Sequence, residues 1–245
     1  MRKLDLDLND LLEFDLDQDI PGFELDTAEL SAAVQTDFVR IRRYPRPSPA
    51  AVCYERAVDL VHNLPDLAEN EALYCLVSGS FIYGDFIEAL LVERNWYAKE
   101  MLIATLSLSK ENVDSLANLL NGDYLGDLGL IVSDYWYSHE RRSQGGVPYL
   151  THTLGGPNFS FAAAGLHTKV TIINTSCCQH LVLHGSANLR SSRNLEQLVI
   201  ERSKELYDFN RFWMLHLLEH FRINRKSLRG DALWQALPEQ AKKAD

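Results

Sequence analysis

The stretch Leu166-His167-Thr168-Lys169-Val170-Thr171-Ile172-Ile173 decides how this chain is read. Side chains of an extended strand alternate between its faces, so His167, Lys169 and Thr171 share one face and Leu166, Val170 and Ile172 the other. One face is apolar and seeks a core, while the other carries an imidazole and an ammonium. A second strand, Gln179-His180-Leu181-Val182-Leu183, runs on into Gly185-Ser186-Ala187-Asn188. Gly185 tolerates backbone conformations that a Cβ resists, so Ser186 and Asn188, which share parity, can present short polar groups beside the His167 face. Asn194 and Glu196 share parity at the start of a further strand. Together these groups suit the holding and attack of a phosphate.

Upstream, residues 55–63, 86–92 and 111–120 read as helices, and the short apolar runs 72–77, 101–106 and 128–132 as buried strands. The first run ends at Ser78-Gly79-Ser80. This succession predicts an α/β fold, a mixed and mostly parallel sheet flanked by helices on both faces. After Tyr135-Trp136-Tyr137, residues 138–146 read as a loop carrying His139, Arg141 and Arg142. Strands then come closer together, at 158–164, 166–173, 180–184 and 195–200. An aromatic helix over 203–221 and a short one over 232–237 close the chain. There is no internal repeat and no second copy of the His-x-Lys unit.

The chain has 245 residues, 46% hydrophobic and 24% charged, enough for one sizeable core with an appendage. Its start, Met1-Arg2-Lys3-Leu4-Asp5, leads into alternating Leu and Asp, and no window reaches the roughly 20 apolar residues of a membrane span. A cytoplasmic location without membrane insertion is therefore expected. Cys53, Cys75, Cys177 and Cys178 lack metal-ligand spacing, so no metal site, disulfide framework or other cofactor is expected.

The net charge is −10, and the first thirty residues alone carry −8, with ten acidic residues against two basic ones. A near-neutral remainder leaves room for a nucleic-acid partner, which an evenly acidic surface would repel. The basic, proline-containing tract Arg40-Ile41-Arg42-Arg43-Tyr44-Pro45-Arg46-Pro47 marks a boundary. It separates an acidic leader and linker, residues 1–50, from a main domain, residues 51–245. The leader reads either as a solvated tail or as a phosphate mimic that covers a basic cleft or docks on a protein partner.

The ordered set His167-x-Lys169, Gly185-Ser186-x-Asn188 and Asn194-x-Glu196 resembles the signature of the phospholipase D superfamily of phosphodiesterases. The runs Gly-Ser-Ala-Asn-Leu and Asn-Leu-Glu-Gln are most similar to its nuclease-like and phage- or restriction-associated branches. The likeness spans residues 71–202 as a fold pattern, and its specific part is 167–196. Asn174 stands where the family pattern has Asp, and ten residues then separate it from Gly185, more than in that pattern.

The resemblance implies that His167 attacks phosphorus to form a phosphohistidine, without a metal. It implies that Lys169 and Asn188 hold the non-bridging oxygens with help from Ser186, and that Glu196 orients the imidazole. A second histidine must protonate the leaving group. With one motif per chain, this implies a twofold homodimer sharing one active site. The helix bearing Phe209, Phe212, Trp213, Leu217 and Phe221 either contributes to that contact or packs on its own sheet.

Arg190 and Arg193 lie between the motif pieces, with Arg141 and Arg142 in the preceding loop, and all suit phosphate binding. Tyr135, Trp136 and Tyr137 are available for base stacking, or else belong to the core. His139, His152, His180 and His184 read as loop or strand-face residues, with His184 nearest the motif. The resulting expectation is a metal-independent phosphodiesterase, a nuclease acting on DNA or another nucleic acid. The alternative is a catalytically silent module binding nucleic acid or a protein. A lipid phosphodiesterase is disfavoured, because the last long helix and the residues leading into it mix Glu201, Glu205, Asp208 and Glu219 with bases.

Overall fold

The apolar runs of the first half form strands because Val, Ile and Leu pack well on a pleated surface. Those at 101–106 and 128–132 are covered on both sides, whereas in 72–77 Tyr74 and Leu76 are exposed and only the other face is buried, so that run is not the fully buried strand expected. The computed structural model describes residues 53–54, 57–77, 81–141, 145–190 and 195–223. Strands β1 (Cys53–Tyr54), β2 (Glu71–Val77), β3 (Ala98–Thr105), β4 (Leu125–Ser133), β5 (Phe159–Ala164), β6 (Val170–Thr175), β7 (His180–Gly185) and β8 (Glu196–Arg202) make one sheet. Its order is β1-β2-β8-β7-β6-β3-β4-β5. Helices are α1 (Ala57–Asn63), α2 (Tyr83–Glu93), α3 (Lys110–Asn121), α4 (Asp134–Glu140), α5 (Gly146–Leu154) and α6 (Lys204–His220).

Helices cover both faces, as expected. Alternation along β3 sends Met101 and Ile103 into a core shared with α1, α2, α3 and α5, and Leu102 and Ala104 into a second core. That second core is built on Tyr207, Met214, Leu217 and Leu218 of α6 and on Phe221 just beyond it. The aromatic helix therefore packs on its own sheet, although Phe209 and Phe212 stand exposed on its outer side.

The sheet is mixed, but its parallel character is confined to β1 with β2 and to β3, β4 and β5. Antiparallel pairing joins β2 to β8, β8 to β7, β7 to β6 and β6 to β3, which corrects the mostly parallel expectation. The cause is connection length. Residues 176–179 alone join β6 to β7, and a parallel crossover needs about a dozen residues or more.

Two further expectations change. The loop predicted over 138–146 is trimmed at both ends, because α4 runs to Glu140 and α5 begins at Gly146. The Ser133 side chain caps α4 by accepting from the Trp136 N–H at 3.0 Å, and Pro148 sits in the first turn of α5, where no backbone N–H is needed. The strand predicted over 166–173 starts only at Val170. Strands β4 and β3 lie between β5 and β6, so residues 165–169 run along the sheet edge to bridge them. The helix expected over 232–237 lies outside the described residues.

Candidate active site

One edge of the sheet gathers the carboxyl ends of β2, β3, β4, β5 and β7 with the starts of β6 and β8. The register fixes this: Val77 pairs with Glu196, Val170 with His184 and Ala104, and Ser133 with Ala164. Ligand sites of open α/β sheets lie outside such ends. His167, Lys169, Gly185, Ser186, Asn188 and Glu196 all lie at or just beyond this edge.

Extending the register one step beyond Val170 places Lys169 opposite Gly185 on one side and Thr105 on the other. Lys169 is half-buried, and its Nζ lies 3.5 Å from His167 Nδ1 and 3.4 Å from the His167 carbonyl oxygen. His167 is exposed, as a side chain on a bridging segment can be. Gly185 is required by close approach: a Cβ there would sit 2.1 Å from the Gln197 carbonyl oxygen.

Beyond Gly185, the Ser186 N–H donates to the Gln197 carbonyl at 3.0 Å, and the Gln197 N–H returns a bond to the Ser186 hydroxyl at 3.0 Å. That hydroxyl also donates to the Glu196 carboxylate. Leu189, fully buried, anchors the turn, and its N–H donates to the Thr105 hydroxyl at 3.4 Å. Asn188 is half-buried, and its amide oxygen has no hydrogen-bond partner among the described residues. An amide with unspent capacity beside Lys169 and Ser186 is suited to a ligand.

The expected substrate-binding residues divide. Arg190 is exposed on this turn, and its charge acts on Glu111 at the start of α3. Arg141 is the exposed C-cap of α4. Arg142, Arg193 and Asn194 lie outside the described residues, as does the basic tract before residue 50. Of the three aromatic residues considered for stacking, Trp136 is buried and Tyr137 packs against Phe161, which leaves Tyr135 exposed.

His184 pairs with Val170 and Val199 and so shares the α6 face with Val182, whereas Thr171 and Leu183 face the opposite core. Burial lowers the pKa of its imidazole, with the Glu201 charge opposing that shift. It therefore backs the sheet on the side away from the one Lys169 shares with Thr171. Asn174 sits at the other end of β6, opposite Glu100 and His180, so the departure at that position lies across the sheet from the candidate site. Thr105 was not anticipated. Its only signal is a hydroxyl ending an apolar run at the carboxyl end of a strand.

Among the described residues, no helix is long and apolar enough to cross a membrane. No protein-family profile matches the chain, and no curated protein matches it. Several solved structures have a similar chain path. A phospholipase D family member, Nuc from Salmonella typhimurium, is 14% identical, with 63% of this chain and 97% of that chain covered and a TM-score of 0.44. NucT from Helicobacter pylori is 19% identical, with 62% and 99% covered and a TM-score of 0.44. Yeast tyrosyl-DNA phosphodiesterase is 14% identical, with 53% and 31% covered and a TM-score of 0.32.

Proposed function

We propose that this chain is a phosphodiesterase that cleaves nucleic acid through His167, with residues 51–245 as its catalytic domain. The carrying observation is the row at the sheet edge: Lys169 beside His167 and in register with Gly185, next to the Ser186–Glu196 bond. A phosphate seated there meets one cation, one hydroxyl, one amide and one nucleophile.

In this reading an imidazole nitrogen of His167 attacks phosphorus and displaces the leaving oxygen, which takes a proton from the partner subunit's His167. Water then attacks the phosphohistidine, gives its proton to the partner subunit's His167, and releases the second product with the phosphorus–nitrogen bond broken. Lys169 and Asn188 stabilise charge on the non-bridging oxygens, and Ser186 and Glu196 hold the far wall. The chemistry needs no metal. A homodimer completes the site, so mixing in excess His167→Ala subunits, which form mixed dimers, lowers activity per wild-type subunit.

The direct test is hydrolysis of bis(p-nitrophenyl) phosphate and of labelled oligonucleotides in excess EDTA. Turnover that survives EDTA and is abolished in His167→Ala is the expected result. Retained cleavage by that variant eliminates the reading. Salt-sensitive nucleic-acid binding with no turnover on any phosphodiester instead supports a silent binding module, the reading that Asn174 and the longer interval to Gly185 motivate.

A further inference from the structure

Tyr135 is 66% exposed, and it lies at the sheet edge that carries Lys169. It is the most exposed of the large apolar side chains among the described residues, and its ring is also packed against a neighbour. Its ring centroid is 4.2 Å from that of His139, one helical turn on, with planes inclined at 42°. His139 Nδ1 lies 2.8 Å from the Tyr135 carbonyl oxygen, so the imidazole is fixed as a backing for the phenol. Helical neighbours four residues apart meet in this way, and the pairing removes rotamer freedom before any ligand arrives.

The position of α4 relates this pair to the phosphate row. It follows β4, which is two strands from β6, so the sheet spacing alone separates the two features by roughly 10 Å. The bridging segment with His167 crosses the ends of β4 and β3 in that interval. Arg141, exposed at the C-cap of α4, adds a positive charge on the same helix. An aromatic face next to a cation-bearing, phosphate-binding row is the composition of a surface that tracks an unpaired strand. In a duplex the base faces are stacked on one another and offer nothing to such a ring.

We infer that Tyr135, backed by His139, is a stacking platform for one unpaired base of a single-stranded nucleic acid whose backbone phosphate sits at Lys169. This names a substrate class for the proposed phosphodiesterase and rests on that reading for its phosphate end. Single-stranded segments, or bases freed at ends and loops, are the preferred ligands, and intact duplex is the poorer one.

The test uses the full-length chain in a His167→Ala background, so that the probe survives the measurement. Fluorescence anisotropy reads the affinity for a labelled oligothymidine and for a duplex of equal length. Tyr135→Ala should weaken single-strand binding by about 5- to 150-fold, the loss of one base stack, while Tyr135→Phe keeps it within about twofold. Duplex binding should change far less. Unchanged single-strand affinity in Tyr135→Ala, or equal losses for both probes, overturns the platform. So does a loss that follows dissociation of the dimer in sedimentation, since Tyr135 would then be a subunit contact. Turnover of bis(p-nitrophenyl) phosphate by the protein with native His167 is scored separately. If it is absent while Tyr135→Ala still loses single-strand affinity, the phosphodiesterase reading fails and the platform stands.

Discussion

The hydroxyl of Ser186 donates to the carboxylate of Glu196, tying the turn after β7 to the first residue of β8. The same hydroxyl accepts from the Gln197 N–H at 3.0 Å, so it closes a small network at the rim of the site. Both side chains lie on the open edge of the sheet, where stability gains little from them and a ligand gains more.

Replacing these two residues should therefore separate stability from turnover. Ser186→Ala leaves the Gln197 N–H and Glu196 short of a partner at a wet position, and should cost about 1 kcal/mol or less. Glu196→Gln keeps an acceptor but removes the charge, and should lower kcat about 100-fold or more with melting nearly unchanged. Thermal melts and steady-state kinetics on a small phosphodiester check both, and an unimpaired Glu196→Gln enzyme rules out a role for that carboxylate.

Gly185 makes a different prediction. A Cβ there would lie 2.1 Å from the Gln197 carbonyl oxygen, a backbone atom that cannot move aside without opening the β7–β8 ladder. Gly185→Ala should destabilise by about 2 kcal/mol or more and lose activity together with stability. Chemical denaturation measures the first, and a variant as stable as wild type refutes the close approach.

These positions show how much of the molecule could be read in advance. The strands near 72–77, 101–106 and 128–132 were legible because continuous apolar runs of that length have few other uses. Helices α4 and α5 were hidden for local reasons: Asp134-Tyr135-Trp136-Tyr137-Ser138-His139-Glu140 has no apolar stripe, and Gly146 and Pro148 resemble loop residues until the missing first-turn hydrogen bonds are counted. Parity within each strand put Lys169 with Thr171 and Ser186 with Asn188, but the register that sets Lys169 opposite Gly185 comes from the β6–β7 pairing. Placing His167 on a strand was not correct, because only the sheet order shows that the chain must travel sideways before β6 begins. Thr105 could not be linked to Leu189 from sequence, since the two are 84 residues apart.

His184 predicts a pH dependence of stability. Burial depresses its folded pKa below the ordinary 6.5, so as pH falls the unfolded chain takes up the proton first. The stability from keeping this imidazole neutral is full above about pH 6.5 and is lost as pH drops through the folded value. His184→Gln should flatten that part of the curve. Urea unfolding at several pH values tests this, and an unchanged slope means the imidazole is solvated in the fold.

The acidic leader is the subject of a fourth prediction. If residues 1–38 compete with phosphates for the site, their deletion should tighten oligonucleotide binding at low salt, with the difference shrinking as salt screens it. Affinity that is the same with and without the leader at low salt leaves it as a solvated tail.

The bridging segment between β5 and β6 has a mechanical consequence. The Leu166 N–H donates to the Ala164 carbonyl at 2.9 Å and takes up Gly165 in a tight turn. Six residue steps, each at most about 3.6 Å, lead from Ala164 to Val170 and cover three strand spacings, roughly 14 Å. His167 sits on a strap laid across the sheet edge, so its place is set by the two strands that anchor the strap and by the width of the sheet between them.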